Sequence, residues 1–260
     1  MHAKNFRLGS RPMRCLSLRM TGAFLNAIGI LLGGLFGLAC RRTLPAQAQI
    51  FFRNALGVSI VFFGVRLVWL NVNGPFLLIL KQFFLAALSV VLGNLLGKLF
   101  RLQKISNYLG RHANHLIVSA QSGVAPNAAA GFNACTILFC AAPLGWLGAV
   151  TDGLSGYFWL LAVKAMMDGL AMIGFVKMFR WPAAISAFPV FLFFGTLTFV
   201  CQFYAAPFLD SQELTNSVNA AAGLVACAVA LVIFEVRRVE LANFMPALVV
   251  APVLAKLLNH

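Results

Sequence analysis

The chain has 260 residues, of which 61% are hydrophobic and 10% charged, with 25 phenylalanines and a net charge of +14. Soluble domains are about half apolar and a quarter charged, so this balance, with a mean hydropathy of +0.90, excludes a soluble domain of any size. The lysines and arginines sit in short clusters between apolar runs, which fits membrane topology and anionic headgroups and argues against nucleic acid as a partner.

Residues 1–19 form a basic tail with Lys4, Arg7, Arg11, Arg14 and Arg19. A basic region before an apolar one raises a signal peptide as the first alternative. The apolar stretch is too long for one, and Gly37-Leu38-Ala39-Cys40 is a poor lipoprotein box because glycine stands three before the cysteine. Residues 20–260 therefore read as a single transmembrane domain. Eight apolar segments follow, over 22–40, 51–70, 76–99, 132–150, 158–177, 184–203, 217–235 and 242–258. Each is close to the length that crosses about 30 Å of hydrocarbon as a helix. The expected fold is all-α, a polytopic transmembrane helical bundle with seven or eight spans. The last segment holds Pro246 and Pro252, so it is expected to be kinked, or re-entrant instead of a full span.

Alternate loops carry the positive charge. Arg41, Arg42 and Arg53 flank the first, Lys98, Arg101, Lys104 and Arg111 mark the third, Lys177 and Arg180 the fifth, and Arg237 and Arg238 the seventh. These loops should face the cytoplasm, in the cytoplasmic (inner) membrane of a bacterium, which places residue 20 outside. The opposite loops carry Asp152, Asp210 and Glu213. The basic tail argues the reverse orientation, and a true start at Met20 reconciles the two. The one long polar stretch, 101–130, begins as an amphipathic interfacial helix with Ile105, Tyr108 and Leu109 facing lipid, and from Ser119 reads as a linker.

An internal repeat is compatible with the pattern. Arg53-Asn54-Ala55-Leu56-Gly57 opens the second span and Asn219-Ala220-Ala221-Ala222-Gly223 the seventh, each followed by one more span. Three-span units with two spans between them would be inverted, a common transporter plan.

Several polar and small residues stand out against this background. In the first span Gly29, Gly33 and Gly37 repeat every fourth residue beside Gly34, which gives a flat ridge for helix packing. Asn26 precedes them, and an amide in a span bonds across helices or lines a cavity. Only six residues are acidic, and two of them open Asp-Gly-Leu triplets, Asp152-Gly153-Leu154 and Asp168-Gly169-Leu170. A carboxylate at bilayer depth costs roughly 3 kcal/mol by insertion scales, so it needs a partner or a purpose. Asp168 follows Lys164 by one helical turn, and the pair reads either as a neutralised couple or as a carboxylate that exchanges a proton or cation. Asp152 reads as a helix cap or a ligand, and Arg66 as a counter-charge for either acid.

The chain is not expected to be an enzyme. Gly153-Leu154-Ser155-Gly156 matches the Gly-x-Ser-Gly signature of rhomboid-type proteases, but the spans offer no histidine as a base. The two membrane aspartates lack the Gly-x-Gly-Asp motif of aspartyl intramembrane proteases. Cys15, Cys40, Cys135, Cys140, Cys201 and Cys227 form no Cys-x-x-Cys pair and read as small hydrophobes, and the four histidines lie outside the spans. No metal site and no cofactor is expected.

Taken together, these residues resemble the bacterial membrane family called domain of unknown function 554, from Met20 almost to the C-terminus. Asn26-x-x-Gly29 with Gly33-Gly34-x-x-Gly37 and Leu44-Pro45 resemble the family's opening. The more specific likeness lies in Leu138-Phe139-Cys140, Gly148, Asp152-Gly153-Leu154-Ser155-Gly156, and Lys164 with Asp168-Gly169, supported by Pro189, Gly195, Asn243 and Pro246-Ala247-Leu248. The chain departs from the family at Ala130, where a glutamate is usual, at Lys98 and Gln103, where acids are usual, and at Phe193-Phe194, where Tyr-Gln is frequent. The resemblance implies identity and topology more than chemistry, since members are often labelled transporters without an established activity. The function expected is a small-solute or ion transporter or channel, with Asp168 and Lys164 at its centre and Asp152, Asn26 and Arg66 as secondary polar groups. The alternative is a non-transporting scaffold or assembly factor. The expected partners are the lipid bilayer and an unidentified solute or ion, and a homo-oligomer is compatible with the sequence.

Overall fold

A computed structural model describes residues 20–40, 45–121, 128–211, 214–237 and 239–258. The basic tail, Cys15, Arg41, Arg42, Leu44, Gly123, Glu213 and Arg238 lie outside the described residues, so the expectations attached to them are not addressed. Among the described residues every regular element is helical. The helices are α1 (Thr21–Ala39), α2 (Ala46–Leu70), α3 (Phe76–Leu99), α4 (Leu102–Gln121), α5 (Ala128–Ala141), α6 (Pro143–Ser155), α7 (Trp159–Phe179), α8 (Ala187–Val200), α9 (Ala206–Ser211), α10 (Thr215–Ile233) and α11 (Ala247–Leu258).

Seven stretches are long and apolar enough to cross a membrane, and α5 and α6 would make an eighth as one span bent by 60°. The bend falls where Pro143 opens α6 without an N–H to donate. The expected plain span over 132–150 is thus a broken one, and Pro143 is the physical reason. The amphipathic α4 continues to Gln121 and α5 begins at Ala128, so the linker expected over 119–130 is helical at both ends. Outward-facing Phe24, Leu35, Phe62, Leu77 and Phe84 are all exposed, as lipid contacts require.

Glycine contacts fix the relative directions of the spans. A Cβ added to Gly29 would lie 2.5 Å from the carbonyl oxygen of Ala165, one at Gly33 2.0 Å from that of Gly169, and one at Gly37 2.9 Å from that of Ile173. The numbers rise together in steps of four, so α1 and α7 run parallel with their backbones in contact. Gly93 meets Ala247 and Gly97 meets Asn243, which makes α3 and α11 antiparallel. Three spans precede α5, so α7 can run parallel to α1 only if the bent α5–α6 pair crosses too. Its ends agree: Gly131 packs on Phe179 at the finish of α7, while Gly153 packs on Thr198 and Cys201 near the finish of α8. The bundle therefore has eight spans. The last does not turn back, because it follows α3 from Gly97 to Lys81, whose Nζ donates to the Leu258 carbonyl at 2.9 Å. That run is about 24 Å at 1.5 Å per residue, a near-complete crossing despite Pro252.

Gly57 faces Phe234 and Gly223 faces Val68, so α2 and α10 run antiparallel. Two cores result. One gathers Leu147, Leu160, Val225 and Ala226 where α2, α6, α7 and α10 meet, and the other gathers Ile30, Leu161, Met172 and Phe194 where α1, α7 and α8 meet.

Candidate functional site

Asp168 is the tenth residue of the 21-residue α7, so it sits halfway along this span. Its carboxylate accepts a hydrogen bond from Lys164 Nζ, one turn away, and both residues are buried, at 7% and 1% exposure. The Lys164 ammonium also lies 5.3 Å from the centre of the Phe194 ring and 5.8 Å from that of Phe139, within cation–π range. Phe194 occupies a position where the family resemblance implies glutamine, so an aromatic face replaces an amide at this cation. Gly145 makes room for the lysine, because a Cβ there would stand 2.6 Å from Lys164 Cε.

Asn26 of α1 is fully buried beside the same carboxylate. Its amide is close enough to hydrogen-bond the Asp168 carboxylate. Cys140, in the last turn of α5, lies close enough to feel both charges of the pair. Its carbonyl accepts the Trp146 Nε1–H at 3.1 Å across the break, which satisfies one acceptor left open at the end of α5. The ion pair, the buried amide and the interrupted backbone thus meet in one part of the bundle.

Asp152 belongs elsewhere. It is 1% exposed, and its Oδ2 accepts the backbone N–H of Gly22 at 2.9 Å. Gly22 is in the first turn of α1, whose own cap residue, Met20, supplies no side-chain bond. Asp152 therefore caps a different helix from the one it sits on, at the positive end of the α1 dipole. The rest of its motif is architectural. A Cβ at Gly153 would lie 2.5 Å from the Thr198 carbonyl oxygen, Gly156 ends α6 in the left-handed region at φ 74°, and Ser155 Oγ donates to the Thr151 carbonyl at 2.9 Å.

Arg66 is not a counter-charge for either acid: among the described residues it has no acidic partner. It is exposed on α2 beside Phe62 and Trp69, within electrostatic reach of Tyr157 between α6 and α7. Burial pushes the Tyr157 hydroxyl up to about 12 against the opposing pull of Arg66. It stays a neutral donor, to the Phe63 carbonyl at 2.7 Å. Gly29, Gly33 and Gly37 form the α1–α7 seam, and Gly34 packs on Ala184. The break at Pro143 was not singled out from sequence, and Phe139 and Phe194 entered only through the family resemblance, not as rings around Lys164. A proline inside an apolar run was the available signal for the first, whereas nothing local points to the rings. Among the described residues no three His, Cys, Asp or Glu side chains gather as metal ligands do.

The chain is 24% identical to the uncharacterized membrane protein YdfK of Bacillus subtilis (strain 168) over 234 residues, covering 90% of this chain and 95% of that one. It is 25% identical to the uncharacterized protein YqgA of Escherichia coli (strain K12) over 231 residues, covering 88% and 94%. No solved structure matches. Residues 21–256 match the family described as protein of unknown function DUF554. That match takes in all eight spans, the Asp168–Lys164 pair and the Asp152 cap, and the chain belongs to this family of multi-pass membrane proteins.

Proposed function

We propose that the protein is a transporter of a small solute or ion in the cytoplasmic membrane of a bacterium, with residue 20 outside. Asp168 is the group that exchanges a proton or cation, and Lys164 is its counter-charge. The observation that carries this reading is the position of the buried pair, halfway along α7, beside the buried Asn26 amide and against the break in the α5–α6 span. Ionisable groups at this depth mark solute and proton paths, and transporters place their sites where spans are interrupted near the midplane. No catalytic step is part of the reading.

A second reading draws on the closure of the pair. Lys164 and Asp168 are sealed by packed helices, as a self-neutralising couple in a scaffold would be. Purified protein in liposomes loaded with a pH-sensitive dye separates the two. Imposed sodium, potassium and proton gradients should drive a flux above that of protein-free vesicles. If none of them does, the scaffold reading replaces the transporter.

A further inference from the structure

A cleft between α2 and α7 stands apart from the Asp168 site and has a cavity volume of about 420 Å³. Its inner wall is formed by Leu56, Met167 and Leu170, and its mouth carries Arg53, Lys177 and Gln49. The polar groups share one end because α2 and α7 run in opposite directions. Arg53 lies near the start of α2, and Lys177 is in the last turn of α7. The cleft is thus cationic at the basic-loop face of the membrane and apolar towards the midplane. A phospholipid has the same gradient, and basic pockets between spans on that face select anionic headgroups.

Two details sharpen the fit. Arg53 pairs with Glu235, but their side chains stay 40% and 69% exposed, so the pair neutralises Arg53 only in part. Gly174 lines the cleft, and a Cβ added there meets nothing within 4 Å. The absence of a side chain at Gly174 leaves the groove open, and no neighbouring helix requires it. The geometry points to a binding site for an anionic phospholipid, with its phosphate between Arg53 and Lys177 and an acyl chain along Leu56 and Leu170.

The test is native mass spectrometry of the full chain in mild detergent, titrated with dioleoyl phosphatidylglycerol and dioleoyl phosphatidylcholine. Phosphatidylglycerol should bind about tenfold more tightly. Arg53→Gln and Lys177→Gln should each weaken it about fivefold, with phosphatidylcholine unchanged. Glu235→Gln should tighten it by releasing Arg53, and Gly174→Leu should fill the cleft and weaken both lipids. The last two variants carry the test if a charge-removing one fails to fold. Equal binding of the two lipids, insensitivity to these substitutions, or full competition by glycerol phosphate alone would overturn the assignment. So would a second copy of the chain found to occupy the cleft.

Discussion

Asp152 and Asp168 open the same triplet and hold different partners. The Asp152 carboxylate is fixed by a backbone N–H at the start of α1, and that bond closes an orphan donor at bilayer depth. Asp152→Ala should lower stability by about 1–2 kcal/mol, the range of a lost cap, while Asp152→Asn keeps an acceptor and loses less. Thermal unfolding of the purified variants checks this, with flux per folded molecule expected to stay at the wild-type level. Equal losses for alanine and asparagine would mean that the bond to Gly22 is not what Asp152 contributes. Asp168 answers to Lys164, and removing one member of a buried pair costs about 3–5 kcal/mol because the other is left uncompensated. The double change Asp168→Asn with Lys164→Gln should therefore be more stable than Asp168→Asn alone. Measured midpoints in the opposite order would show that the two charges do not compensate each other.

Among the elements, the α1–α7 seam has the closest backbone approach, and it makes a sharp contrast with Gly174. Gly33→Leu has no space, with the Gly169 carbonyl oxygen 2.0 Å from the new Cβ, and should prevent stable folding or shift the melting temperature down by many degrees. Gly174→Ala meets open space on the same α7 and should be neutral or stabilise by up to about 1 kcal/mol through helix propensity. A comparable loss for both would mean that helix flexibility, not close packing, explains the glycines. Much of this was legible in the sequence. The four-residue spacing of Gly29, Gly33 and Gly37 announces a packing ridge, and Lys164 to Asp168 is a single turn. What the ridge packs on was not legible, because Gly169 lies more than a hundred residues away and no local pattern encodes that contact. Asp152 was ambiguous for the same reason, since its partner is at the other end of the chain. Arg66 was misplaced because charge alone does not say which face of α2 it occupies.

At the scale of the molecule, the parallel α1 and α7 require eight crossings and put Met20 and Leu258 on the same side of the membrane. The apolar segments gave nearly the right spans from composition alone, and the bend at Pro143 needed the fold to expose it. With the basic loops inside, a cysteine placed at Val236 of a cysteine-free variant should resist a membrane-impermeant maleimide on whole cells, while one at Asn73 should react. The reverse pattern would invert the orientation and leave the fold untouched. The proposed transport would involve the whole bundle, since the pair on α7 meets Asn26 from α1 and the break between α5 and α6. The most direct measurement is dye-reported flux in proteoliposomes for the wild type, for Asp168→Glu, and for the double change Asp168→Asn with Lys164→Gln, each checked for folding. The account predicts flux in the wild type, partial flux with glutamate and none in the double variant. Wild-type flux that persists in the folded double variant, with its pH dependence intact, would contradict it.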